Sequence, residues 1–82
     1  MEKLKTDFFY LCRIKAFPNK LIQFVYLGDV EIGKKTFVKM FDGKREYFIN
    51  PTDLKVLLPM GPGQFKNGKA VITEEQYAQY PQ

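Results

Sequence analysis

Residues 35–50 read KTFVKMFDGKREYFIN. Two aromatic-rich runs flank Asp42-Gly43, a pair favoured in type I′ hairpin turns because glycine accepts positive φ freely and aspartate tolerates it. With a two-residue turn, Phe41 faces Lys44, Met40 faces Arg45, Lys39 faces Glu46, Val38 faces Tyr47 and Phe37 faces Phe48. The charges agree with that register, since Lys39 lands opposite Glu46. One side of the hairpin then carries Val38, Met40, Tyr47 and Ile49. The other carries Phe37, Phe41 and Phe48 with Lys35, Lys39 and Lys44. A three-residue loop over 42–44 would slide the second strand by one and exchange its faces.

Outward from this hairpin the chain divides into short β-type runs between turn residues. FFYLCRIKAF, residues 8–17, alternates an apolar side (Phe8, Tyr10, Cys12, Ile14, Ala16) with one holding Arg13 and Lys15 in its middle. Pro18-Asn19 is expected to end it. KLIQFVYL, residues 20–27, is apolar on both sides and reads as a central strand. GDVEIGKK reads as a loop anchored by Val30 and Ile32. After the hairpin, Asn50-Pro51-Thr52-Asp53 reads as a tight turn of 3₁₀ type, and LKVLL as a short strand closed by Pro59. PMGPGQ, residues 59–64, is rich in breakers. A second hairpin is predicted at Asn67-Gly68, between QFK and KAVI. Thr73 and Gln76 stand at capping-box spacing, so a short C-terminal helix is expected over the last residues.

The whole predicts a mainly all-β chain: one domain over residues 1–82, with a core over about 7–58 and a C-terminal extension over 59–82. A chain of 82 residues has a stability of only about 4–12 kcal/mol. Cys12 stands alone and histidine is absent, which excludes an internal disulfide and a structural Cys/His zinc site. Eight phenylalanines and five tyrosines supply the core instead. No run approaches the ~20 apolar residues needed to span a bilayer, and the first residues lack the apolar region of a signal peptide. A cytoplasmic location is expected.

Serine, histidine and tryptophan are all missing. No Ser-His-Asp or Cys-His arrangement can be built, and the commonest general base is absent. Asp29 and Glu31 would point the same way on an extended segment, but two acids so placed are ordinarily solvated. Cys12 sits among alternating apolar residues, as a buried structural thiol would. An enzyme is not expected, and no cofactor or metal motif is present; GPGQFKNG lacks the Lys-Ser/Thr end of a phosphate loop.

VEIGKKTFVKMFDGKREYFINPTDLKVL, from Val30 to Leu57, resembles the core of small SH3-like barrels of the Tudor type. It runs strand, acidic-Gly hairpin, strand, tight turn and short strand, with Tyr47, Phe48 and Leu54 at apolar places in that pattern. The resemblance implies a five- or six-stranded antiparallel, partly open barrel that binds peptides or nucleic acid. GDVEIG, where one wall of a methylated-residue cage would lie, holds no aromatic residue, so no such cage carries over.

The net charge of +4 favours polyanions modestly. Phe37, Phe41 and Phe48 could stack on bases while Lys35, Lys39, Lys44 and Arg45 meet phosphates, the combination that single-stranded nucleic-acid binders use. The same phenylalanines could instead be core, covered by QFKNGKAVI and Tyr77. The alternative function is a protein-interaction module or inhibitor that occludes a partner's surface, a role that suits small lysine-rich proteins of phages or mobile elements. Homodimerisation through a strand edge is also open.

Overall fold

A computed structural model describes residues 4–72, and the helix expected near the C-terminus lies outside these described residues. The described chain is mainly antiparallel β, a six-stranded sheet curled into a half-barrel. Its strands are β1 (Phe8–Ile14), β2 (Phe17–Ile32), β3 (Lys35–Phe41), β4 (Glu46–Ile49), β5 (Leu54–Lys66) and β6 (Lys69–Ile72). Their order across the sheet is β4-β3-β2-β1-β5-β6, and one 3₁₀ turn, Pro51–Asp53, joins β4 to β5.

Alternation in β1 and β2 places the main core. Phe8, Tyr10, Cys12 and Ile14 from β1 join Phe24 and Tyr26 from β2, Val38 and Met40 from β3, and Ile49 from β4 in one cluster on the inner face of the curl. Fully burying a ring such as Phe24 contributes about 1.5–3 kcal/mol by removal of apolar area from water. Burial also pushes the Cys12 thiol up to about 12, which keeps it protonated and inert at neutral pH.

β2 is the long central strand. It pairs with β1 through its first half and with β3 through its second half, passing a bulge between Tyr26 and Gly28. Both its faces are needed: Phe24, Val25 and Tyr26 are buried in succession. The expected loop GDVEIGKK is mostly strand, with β2 running to Ile32 and the reversal confined to Gly33-Lys34. Val30 is half-buried and Ile32 exposed, so Ile32 is not the core anchor it was expected to be. The first reversal also moves. β1 ends at Ile14, the turn is Lys15-Ala16, and Pro18-Asn19 lie inside β2. There Ile14 pairs with Phe17, and Lys15 N–H donates to the Asp53 carbonyl at 3.0 Å, tying this turn to the 3₁₀ turn.

The 3₁₀ turn forms as its residues predict. Asn50 Oδ1 accepts from Thr52 N–H at 3.1 Å, and Pro51 supplies a fixed φ at the first turn position. The segment read as breakers, 59–64, instead continues β5 beside β1. Pro59 pairs with Tyr10 and Pro62 with Phe8, and the ladder is bulged next to Tyr10. Proline is tolerated there because β5 has no outer neighbour until β6 joins it at Gly63. A Cβ on Gly63 would run into the Val71 carbonyl, so only glycine lets β6 approach so closely.

Candidate ligand-binding face

The β3–β4 hairpin adopts neither predicted register. Val38 pairs with Ile49, Lys39 with Phe48, Met40 with Tyr47 and Phe41 with Glu46. The second strand is displaced by two residues from the two-residue form, and Asp42–Arg45 make a four-residue loop. Asp42 lacks the positive φ that a type I′ turn requires of it; only Gly43 has one, at 96°. The carboxylate organises the loop instead. Asp42 Oδ1 accepts from the Lys44 and Arg45 backbone N–H groups, each at 2.8 Å, and Oδ2 accepts from the Tyr47 hydroxyl at 3.3 Å. Burial by itself would raise the Asp42 carboxyl, but donation from Arg45, Lys44 and Tyr47 outweighs it and holds the group below its usual value.

A displacement of two preserves the pleat, so the faces come out as the alternation dictates. Val38, Met40, Tyr47 and Ile49 turn inward, where Tyr47 stands edge-on to Phe24 with centroids 5.3 Å apart. Phe37, Lys39, Phe41 and Phe48 share the outer face. Lys39 still meets Glu46, now diagonally, at 3.5 Å.

The hairpin β5–β6 crosses this outer face. Phe65 packs edge-to-face on Phe9 at 5.0 Å and on Phe41 at 5.5 Å between centroids. Phe9 and Val25 are fully or nearly fully buried, although both point away from the main core. A second, smaller core of Phe9, Val25, Phe41 and Phe65 therefore sits on the outside of the sheet. Phe41 belongs to it and is removed from the predicted stacking platform.

What remains open lies beyond that plug. Phe48 is 49% exposed, with the Lys39 ammonium 6.0 Å from its ring centroid. Phe37 is half-buried beside it, paired with Val30 of β2, and Lys35 is exposed opposite Ile32. Lys44 and Arg45 are exposed in the loop and not on the strand where the two-residue register would put them. The structure thus brings together Phe37, Phe48, Lys35 and Lys39, leaves Lys44 and Arg45 at the hairpin tip, and covers Phe41. Exposed Ile32 extends the same surface, a residue that its loop reading had hidden.

Asp29 and Glu31 sit on the other side of this ribbon. Asp29 Oδ1 accepts from the Tyr26 hydroxyl at 2.7 Å, so it serves as a structural acceptor. Burial first, and then the Asp29 hydrogen bond and charge, push Tyr26 up to about 12. Among the described residues no cluster of His, Cys, Asp or Glu is arranged to hold a metal ion, and no helix is long and apolar enough to cross a membrane.

The chain matches no family model, no curated protein and no solved structure.

Proposed function

We propose that this is a small non-enzymatic binding module whose β3–β4 ribbon takes single-stranded nucleic acid on its outer face. The observation that carries the reading is Phe48, a half-exposed ring set beside Phe37 with the Lys39 ammonium over it. The exposed half of this ring adds nothing to the fold, whereas a base stacked on it contributes about 1–3 kcal/mol. Lys35 and Lys39 on the strand, with Lys44 and Arg45 at the tip, supply cations for a phosphate backbone. Among the described residues the acid on this part of the outer face is Glu46, which Lys39 already pairs at 3.5 Å.

The strand order and the 3₁₀ turn between β4 and β5 support placing the chain among SH3-like, partly open barrels of the Tudor type. A single buried thiol, with no disulfide, suits the reducing cytoplasm.

The test is fluorescence anisotropy with labelled single-stranded oligonucleotides across a salt series. Four phosphate contacts would make log affinity fall with log salt at a slope of about −3. Phe48→Ala should weaken binding about tenfold or more while the fold survives. Phe41→Ala is unsuitable, because it damages the outer core. Absence of binding at low salt, or a Phe48→Ala variant with unchanged affinity, would sink the reading.

A further inference from the structure

The β5–β6 hairpin divides the outer face into two halves. On the β2–β3–β4 side lies the aromatic ribbon. On the other side, only β2, β1 and β5 run, and their registers build a small grid. Gln23, Leu11 and Leu58 form one row across the three strands, and Arg13 pairs with Lys55 in the next. Leu21 adjoins Ile22, the partner of Cys12, so alternation places it on the outer side, where the β1–β2 ladder begins its shift toward the Ile14–Phe17 pair.

This half is aliphatic where the first is aromatic. Leu21 and Leu58 are each 53% exposed, and Leu57, at the bulge next to Leu58, is 40% exposed. Leu21 and Leu58, half in water on one sheet face with partly buried Leu11 between their strands, form the kind of patch that marks an interaction surface. Arg13 and Lys55 stand exposed along it, and neither has an ion-pair partner among the described residues. The grid itself contains no acid.

We infer that this β1–β2–β5 face docks an acidic amphipathic polypeptide helix, its apolar stripe on Leu11, Leu21 and Leu58 and its carboxylates on Arg13 and Lys55. Charge decides among occupants. A second copy docked by the same face would bring one grid whose charges are all cations against another, with no carboxylate to pair Arg13 or Lys55. Nucleic acid would meet the cations, but would find aliphatic side chains where bases need rings. A sheet face covered by one helix is the ordinary two-layer solution, and a helix presents an apolar stripe with charged rims in one rigid element.

The probe is a synthetic helix-forming peptide of about 18 residues with leucines on one face and glutamates along both rims. It is titrated into the isotopically labelled full chain and followed by amide chemical shifts. The expected result is saturable shifts at Leu11, Arg13, Leu21, Lys55 and Leu58, with Phe37 and Phe48 unmoved. Leu21→Asp, or Arg13→Glu with Lys55→Glu, should weaken binding about tenfold or more, and a peptide with lysines in place of glutamates should bind about tenfold less tightly. All three positions are exposed, and thermal melts of the variants check that the fold is intact. Absence of saturable shifts, equal binding of the lysine peptide, or competition by an oligonucleotide would overturn the proposal. So would a dimer in sedimentation that Leu21→Asp dissolves. Tighter peptide binding in a full chain carrying E74K and E75K would also overturn it, because it would make the chain's own residues 73–82 the occupant. Oligonucleotide binding at Phe48 stands or falls separately, since Leu21→Asp should leave it unchanged.

Discussion

The molecule contains two Asx-Gly turns, and they fold differently. Asn67-Gly68 joins β5 to β6 with φ of 53° and 78°, both left-handed, and Lys66 pairs with Lys69 directly across it. That is the two-residue type I′ hairpin its dipeptide predicts. Asp42-Gly43 carries the same signal and makes a four-residue loop instead. A charged carboxylate has partners that make the longer loop better: two backbone N–H groups and the Tyr47 hydroxyl. Charge-assisted bonds of this kind are roughly twice as strong as neutral ones, enough to outweigh a turn preference. The two tips also meet. A Cβ on Gly43 would lie 3.0 Å from Phe65 and 3.2 Å from the Gly68 carbonyl, so one turn's shape is fitted to the other's presence.

The contact between the turns is the first thing to break. Phe65→Ala removes the ring that joins the β5–β6 hairpin to Phe9 and Phe41. It should cost about 2–3 kcal/mol, somewhat under the full-core figure because the ring is half-buried. A urea midpoint unchanged from the parent would mean that the outer core contributes nothing.

Glycine substitutions should separate the tips. Gly43→Ala forces a side chain into φ of 96° and against Phe65, and should cost about 2 kcal/mol. Gly68→Ala, at φ of 78° with its nearest neighbour 3.9 Å away, should cost only about 1 kcal/mol. Equal losses in denaturant titration would show that backbone strain alone, without the ring, sets the requirement at Gly43.

The carboxylate comes next. Asp42→Ala should cost about 1 kcal/mol, as loss of a capping side chain does. Because the Asp42 carboxyl is held below its usual value, its contribution is present above the unfolded value of about 3.9 and disappears as pH falls through the lower folded value. Asp42→Asn should therefore flatten part of the stability loss below about pH 4. An acid limb identical to the parent's would contradict the hydrogen bonds assigned to it. The smallest effect is expected at Asn67→Asp, below about 0.5 kcal/mol, since Asp tolerates the left-handed region nearly as well.

Much of the site could be read from the chain because strand faces obey a period of two. Phe37, Lys39 and Phe48 share a side in the predicted register and in the observed one, since a shift of two residues leaves every side chain on its face. At Phe41 the alternative reading formed, core covered by QFKNGKAVI, and its cause is not local. Nothing local distinguishes it from Phe48; a ring from residue 65, brought over the sheet by β5–β6, covers one and not the other. Residues 59–64 misled in the same way. Pro and Gly report local backbone limits, and those limits are compatible with an edge strand once β1 lies alongside to pair with it.

Local chemistry by itself settled the alternation of Phe8 through Ile14, the Asn67-Gly68 reversal and the 3₁₀ turn at Pro51. Each depends on residues within a few positions of one another. The register at Asp42, the extension of β5 past Pro59, and the division of the outer face into an aromatic and an aliphatic half needed the assembled fold. Those outcomes depend on which distant groups arrive to accept a hydrogen bond, pair an edge or cover a ring.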